Sequence, residues 1–129
     1  MFPPDAKILV VDDMKGIRIW LSKSLQTLGF QNIKEAASVD EALAHVHGNP
    51  VDLIFTDLVM PGKNGMELIK ELYGDEKYKG IPIIVLTAES DKQMIVDIIG
   101  MGVNSYIIKP ITLPVLQKKL EGVFKNKER

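Results

Sequence analysis

Five short runs rich in apolar and β-branched residues recur along the chain, and each is followed by a longer segment of helical character. The runs span Lys7–Val11, Asn32–Ala36, Val51–Thr56, Ile83–Leu86 and Ser105–Ile108. Short apolar runs bounded by turn residues predict buried strands. Because these runs alternate with helical segments, and Ile83–Leu86 is apolar throughout, they predict a parallel sheet with helices on both faces. The sequence therefore predicts an α/β fold made of five βα units.

Helix start and stop signals mark the segments after the first two runs. We expect the first helix from about Gly16 to Leu28, with Gly29 in the left-handed conformation as its stop. The apolar face of this helix is predicted to comprise Ile17, Trp20, Leu21, Leu25 and Leu28. Ser38 and Glu41 form a capping box that opens a second helix, which is expected to end near Gly48.

The other three segments carry similar helix signals. A third helix is expected from about Gly65 to Tyr73. Ser90 is the predicted N-cap of a fourth helix that ends before Gly102. Thr112 is the predicted N-cap of a fifth helix, whose early Pro114 lacks a donor that would be unpaired there in any case.

Size, charge and composition narrow the class of protein. The 129 residues match a single domain, expected over residues 1–129, and the absence of cysteine excludes disulfides and thiolate metal sites. The start lacks a signal-peptide pattern, and every apolar run is far shorter than the roughly 20 residues that span a bilayer. With 16 basic and 17 acidic residues, no overall field favours nucleic acid. We expect a cytoplasmic protein that binds neither membranes nor nucleic acid.

Polar residues directly after the strands are the candidates for a functional site, because ligands of parallel sheets bind beyond the carboxyl ends of the strands. They are Asp12, Asp13, Asp57, Thr87 and Lys109. Three converging carboxylates would raise one another's pKa values, and Lys109 alone would balance only part of their charge. A bound cation would resolve this repulsion, and an all-oxygen ligand set favours Mg²⁺.

This set of residues suits phosphoryl transfer to a carboxylate. Asp57 as nucleophile would give an aspartyl-phosphate, with Mg²⁺, the Thr87 hydroxyl and Lys109 each taking one phosphoryl oxygen. Each residue taken singly also has an ordinary explanation, as a loop or turn carboxylate, a strand-end hydroxyl or a surface amine. Their occurrence together at one edge of the sheet favours the phosphoryl site.

Four motifs resemble the response-regulator receiver family in that family's order. They are Val10-Val11-Asp12-Asp13, then Asp57-Leu58-Val59-Met60-Pro61-Gly62 with Gly65, then Leu86-Thr87-Ala88, and finally Lys109-Pro110. The resemblance covers essentially the whole chain, and length and spacing are most similar to the family's stand-alone chemotaxis regulators. It implies a flavodoxin-like, doubly wound (βα)5 fold with strand order 2-1-3-4-5.

The resemblance also implies a role for each site residue. Asp57 is the implied phosphoacceptor. Asp13 is an implied Mg²⁺ ligand, with Asp12 supporting through water, and the backbone carbonyl of Val59 is a further ligand. Lys109 would contact the phosphoryl group and precede a cis peptide bond to Pro110.

A switch and a binding surface follow from the same resemblance. Phosphorylation would move Thr87 toward the phosphoryl group and let Tyr106 turn inward. The output face, formed by the fourth helix, fifth strand and fifth helix, would include Lys92, Ile95, Val103, Tyr106 and Lys119. Two alternatives stay open: Tyr106 as a half-exposed aromatic that covers the fourth helix, and Ile95 and Val103 as ordinary core residues.

The expected function is a phosphorylation-activated switch and not a turnover enzyme. A histidine kinase would supply the phosphoryl group, and an effector, such as a flagellar motor switch, would bind the phosphorylated protein. A phosphatase is a further possible partner, and we expect a monomer. One alternative is a phosphorelay intermediate or phosphate sink. Another is an Asp-nucleophile phosphohydrolase, although such enzymes generally need a second acid where Val59 stands.

Val59 also departs from the polar residue usual at this position in the chemotaxis prototype. Its side chain cannot hydrogen-bond a hydrolytic water, although Glu89, two residues after Thr87, could do so. We therefore expect slower self-dephosphorylation than in a Val59→Asn variant.

Overall fold

The computed structural model describes residues 3–60, 62, 64–88, 92–103 and 105–127, with side chains up to residue 124. The strands are β1 Lys7–Val11, β2 Asn32–Ala36, β3 Leu53–Asp57, β4 Ile83–Thr87 and β5 Ser105–Ile108. The helices are α1 Lys15–Thr27, α2 Val39–Gly48, α3 Gly65–Tyr73, α4 Lys92–Gly100 and α5 Leu113–Lys127. The predicted alternation of strands and helices is confirmed, while Ser90 and Glu89 lie outside the described residues.

All five strands are parallel and lie in the order β2-β1-β3-β4-β5. The flavodoxin-like order implied by the family resemblance is therefore confirmed. The central strands β3 and β4 are buried at every position, as expected when helices cover both faces. Most residues of the edge strand β2 are at least partly exposed, since no strand of the described residues pairs with its outer side.

The sheet separates two apolar cores. One core packs α2, α3 and α4 against one face, with Leu43, Leu68 and Ile98 among its members. The other packs α1 and α5 against the opposite face. Alternation along β3 distributes side chains between them, because Ile54 faces the first core and Phe55 the second.

Local capping signals position several helix ends. The Ser38 hydroxyl accepts a hydrogen bond from the Glu41 N–H at 3.1 Å, so the predicted start of α2 is confirmed. Gly29 has a φ of +106° after α1, and the Phe30 N–H donates to the Leu25 carbonyl at 3.1 Å. This glycine-stop arrangement turns Phe30 back into the core, where it is 2% exposed.

The predicted apolar face of α1 was wrong at one position. Trp20 is 39% exposed, whereas Leu21 and Leu25 are fully buried. Successive helical residues point about 100° apart, so Trp20 lies at the margin of the stripe that Leu21 and Leu25 direct at the sheet. Within the described part of the chain, none of the helices combines the length and apolar character needed to cross a bilayer.

Candidate functional site

The carboxyl ends of four strands bring the predicted site residues to one edge of the sheet. Asp12 follows β1, Asp57 ends β3, Thr87 ends β4 and Lys109 follows β5. Parallel pairing aligns these ends, with Asp57 opposite Leu86 in the register. The Lys109 N–H donates to the Thr87 carbonyl at 2.8 Å, which continues the ladder one residue beyond β5.

Three carboxylates converge at this edge. One oxygen each from Asp12, Asp13 and Asp57 lies within 4.8 Å of the others. Asp12 and Asp57 are buried, whereas Asp13 is exposed. Lys109 Nζ donates to Asp57 Oδ2 at 3.3 Å and lies 3.7 Å from Asp12 Oδ2. In the part of the chain that the structure describes, the Lys109 ammonium is the one cation paired with this cluster, so the negative charge of the three carboxylates is only partly balanced.

Asp12 shows the electrostatic cost of this arrangement. Burial is the largest cause and raises the pKa of Asp12 above its ordinary value. The hydrogen bond from the Met14 N–H and the charge of Lys109 lower this pKa, whereas the charges of Asp57 and Asp13 raise it. The Met14 N–H donates to Asp12 Oδ1 at 2.9 Å. Among the described residues, Asp12 Oδ2 has no hydrogen-bond partner. A buried carboxylate oxygen with no donor is suited to a cation or to a water bound to one.

These residues fit Mg²⁺. The donor set consists of carboxylate oxygens, the ligands that this ion prefers, and the exposed Asp13 leaves one side accessible for the waters that Mg²⁺ retains. Asp13 and Asp57 would bind the ion, with Asp12 beside them. The Val59 N–H donates to Asp57 Oδ1 at 3.4 Å, and the role of the Val59 carbonyl as a ligand stays a prediction.

Glycine shapes the loop that follows Asp57. The Gly65 N–H donates to the Leu58 carbonyl at 2.8 Å, which brings the start of α3 against the end of β3. A Cβ at residue 65 would collide with the Asp57 carbonyl oxygen. Gly62 has a φ of +78°, a conformation that favours glycine. A side chain at residue 65 would therefore block this close approach to Asp57, and the backbone at residue 62 favours glycine.

Residues 8–121 match the family model of the response regulator receiver domain. The chain belongs to this receiver family. It is 38% identical to chemotaxis protein CheY of Pseudomonas aeruginosa over 120 residues, and this match covers 93% of this chain and 97% of that protein. It is 39% identical over 118 residues to chemotaxis protein CheY1 of Helicobacter pylori, covering 91% and 95% of the two chains. The solved structure of Vibrio cholerae chemotaxis protein CheY4 superposes with a TM-score of 0.85 at 34% identity, covering 92% of this chain and 98% of that one.

The two predicted switch residues, Thr87 and Tyr106, lie on neighbouring strands of this receiver domain. Thr87 is 1% exposed, and its hydroxyl donates to the Ala88 carbonyl at 3.5 Å, a long and weak bond. Tyr106 is half-buried against the core, and Lys119 Nζ lies 5.6 Å from its ring centroid. The peptide bond from Lys109 to Pro110 is cis, as the resemblance implied. The movement of Thr87 and Tyr106 on phosphorylation stays a prediction.

The predicted output face of the receiver domain needs one correction. Lys92 is exposed, and Ile95, Tyr106 and Lys119 are half-buried, but Val103 is 5% exposed and belongs to the core. Its N–H donates to the Ile98 carbonyl at 3.1 Å across Gly102, whose φ is +100°. In this helix-ending motif the residue after the glycine packs back on the helix, so Val103 turns inward.

Other apolar side chains near that face are exposed instead, and hydrophobicity alone did not identify them. They are Val96, Ile99, Ile108 and Val115. Val96 and Ile99 are three residues apart on α4 and therefore share one side of it. This three-residue spacing was the sequence signal that could have identified Val96 and Ile99 as neighbours on one side of α4.

Arg18 is a further residue at the site that the sequence did not reveal. Its Nη1 donates to the Asp12 carbonyl at 2.6 Å, and its Nε lies 3.1 Å from Glu35 Oε1. A cation six positions after an aspartate, near the start of a helix, is more often a solvated side chain. The residue types and spacing therefore gave no usable signal.

Proposed function

We propose that this protein is a phosphorylation-dependent signalling switch in which Asp57 accepts a phosphoryl group from a histidine kinase in the presence of Mg²⁺. The observation that carries the proposal is the convergence of Asp57 with two further carboxylates within 4.8 Å and with Lys109 at 3.3 Å. A nucleophilic carboxylate, oxygen ligands for a cation and a positioned ammonium are the parts that phosphoryl transfer requires.

The residues divide the chemistry between them. An Asp57 oxygen forms a bond to phosphorus while the bond from phosphorus to the histidine nitrogen of the kinase breaks. The electron pair of that bond stays on the imidazole nitrogen. Lys109 holds positive charge beside Asp57 and compensates the oxygens of the transferred group. Bound Mg²⁺ would supply neutralisation of the phosphoryl charge, and Asp12, Asp13 and Asp57 would hold it.

The Thr87 hydroxyl is the proposed link between the acceptor and the output face. It ends β4 at the same sheet edge, and its hydrogen bond to Ala88 is weak enough to be exchanged for a phosphoryl oxygen. Tyr106, half-buried on the adjacent β5, would then move inward. Altered packing at the corrected output face would change affinity for a partner.

The names of the relatives support chemotaxis as the process. Proteins that match across more than nine tenths of this chain carry the name chemotaxis protein CheY. We propose that the effector is a component of the flagellar motor switch, and that the protein acts in the cytoplasm as a monomer with a kinase and a phosphatase as further partners. The exposed apolar side chains beside the output face suit a short amphipathic segment of the effector.

Phosphorylation with acetyl phosphate and Mg²⁺, read by intact mass, tests the chemistry. Wild type should gain one phosphoryl adduct, Asp57→Asn should gain none, and the control Asp97→Asn, an exposed aspartate on α4, should behave like wild type. An adduct that persists in Asp57→Asn would refute the acceptor assignment. Phosphorylation without any change in affinity for motor-switch peptides would favour a relay or phosphate sink.

A further inference from the structure

Arg18 joins three separate elements behind the carboxylate cluster. It lies near the start of α1, donates to the backbone carbonyl of Asp12 at 2.6 Å and pairs with Glu35 of β2 at 3.1 Å. The Arg18 side chain is 15% exposed and the Glu35 side chain 40%. The guanidinium is therefore held between the loop after β1 and the edge strand, and does not extend into solvent.

Three polar groups of residue 12 make hydrogen bonds: its N–H, its carbonyl and one of its two carboxylate oxygens. The Asp12 N–H donates to the Ala36 carbonyl at 3.1 Å, its Oδ1 accepts from Met14, and its carbonyl accepts from Arg18. The carbonyl of residue 12 lies in the same rigid peptide plane as the N–H of Asp13. Fixing this carbonyl therefore fixes the direction in which the backbone enters Asp13.

We infer that Arg18 is a positioning residue for the cation site: its hydrogen bond to the Asp12 carbonyl holds the Asp12–Asp13 peptide so that both carboxylates converge with Asp57. The inference rests on the proposed Mg²⁺-dependent function. The planar guanidinium is suited to this task, because two of its N–H groups point at fixed angles toward the carbonyl and Glu35. A lysine ammonium on its flexible stem would not hold both acceptors in the same geometry.

Charge and geometry predict opposite effects of removing Arg18. A positive side chain near the carboxylates opposes the binding of another cation, so charge alone predicts that an uncharged residue 18 strengthens Mg²⁺ binding. The positioning role predicts weaker Mg²⁺ binding instead. Once the Asp12–Asp13 peptide is released, the two carboxylates would no longer be directed at the ion. The ion pair with Glu35 partly neutralises Arg18 and so reduces the repulsion between Arg18 and a bound Mg²⁺.

Mg²⁺ titration of the unphosphorylated full chain by isothermal calorimetry separates the two effects. Arg18→Met and Arg18→Lys should bind Mg²⁺ about tenfold more weakly than wild type, at the lower end of the loss typical of residues that orient metal ligands. Lys15→Met is the matched control, since Lys15 is an exposed cation two positions after Asp13. It should bind Mg²⁺ as tightly as wild type or more tightly.

The outcomes separate this inference from the proposed function. Unchanged or tighter Mg²⁺ binding by Arg18→Met, with a native circular dichroism spectrum, would overturn the positioning role and leave the function in place. Absence of Mg²⁺ binding in wild type would overturn the cation requirement itself, and the inference with it. If Arg18→Met does not fold, Arg18→Lys decides, because it keeps the charge and most of the stem. Faster hydrogen exchange at the Met14 N–H in either variant would support the released peptide.

Discussion

Replacing Asp12 with asparagine removes one charge from the carboxylate cluster and leaves the shape of the side chain almost unchanged. Asp12 is 0% exposed, and its Oδ1 accepts from the Met14 N–H, a bond that an amide oxygen can keep. Among the described residues, its Oδ2 has no hydrogen-bond partner. The substitution therefore changes the electrostatics of the cluster with little change in packing.

The expected gain in stability follows from three distances. Like charges within 4.8 Å of each other, as Asp12 is of Asp13 and Asp57, repel by at least about 3.5 kcal/mol per pair at an effective dielectric constant near 20. The attraction between Asp12 and Lys109, whose charged atoms are 3.7 Å apart, offsets about 4.5 kcal/mol at the same dielectric constant. Solvent around the exposed Asp13 and added salt reduce the net repulsion that is left. We expect Asp12→Asn to raise the free energy of unfolding by about 1–2 kcal/mol, or the Tm by about 4–8 °C.

Thermal unfolding followed by circular dichroism, with EDTA and then with excess Mg²⁺, measures the effect. In EDTA the variant should melt above wild type. In Mg²⁺ wild type should gain about 2.7 kcal/mol at one hundred times its dissociation constant, and the variant should gain much less, so the difference shrinks or reverses. Asp97→Asn controls for the loss of one negative charge. A variant that melts below wild type in EDTA would show that the cluster is not under net repulsion, and the reasoning would be wrong.

Two further substitutions test the loop after Asp57. Gly65→Ala would place a Cβ 3.0 Å from the Leu58 Cα and 3.1 Å from the Asp57 carbonyl carbon, so we expect a loss of about 1–3 kcal/mol in urea unfolding and slower labelling by acetyl phosphate. Gly48→Ala, which has open space, should not be destabilised, and equal effects of the two would contradict the steric reasoning. Val59 is 60% exposed beside the acceptor, and Val59→Asn should speed the decay of phosphoryl-Asp57, measured by phosphate release, because asparagine can hydrogen-bond the attacking water. Equal decay rates would refute the role of Val59.

The local sequence pattern predicted the strands and helices well because each strand is short and the central strands β3 and β4 are buried throughout. The end of β3 was placed one residue early, since Asp57 still pairs with Leu86 of the neighbouring strand. The residue at which a strand ends depends on its pairing with the neighbouring strand, and the local sequence does not contain that information. The convergence of Asp12, Asp57 and Lys109 was predictable for the complementary reason, because parallel strands put their carboxyl ends at one edge.

The sequence predictions that were wrong concern the direction in which side chains point. Trp20 and Val103 are both large apolar residues, yet one is exposed and the other buried. Rotation about the α1 axis decides the first, and the turn through Gly102 decides the second. The contact between Arg18 and the Asp12 carbonyl joins a helix to a loop in a geometry that no spacing rule encodes.

The hydrogen bond between Lys109 and Asp57 joins residues 52 positions apart. Lys109 follows β5, which lies at one edge of the sheet and pairs with β4. Asp57 therefore gains its ammonium partner only when the last strand has docked. A nascent chain, or one whose β5 has transiently opened, would present Asp57 without this ammonium group beside it. Under the proposed function, phosphorylation would therefore depend on completed folding, and unfolded copies would not consume phosphoryl groups from the kinase.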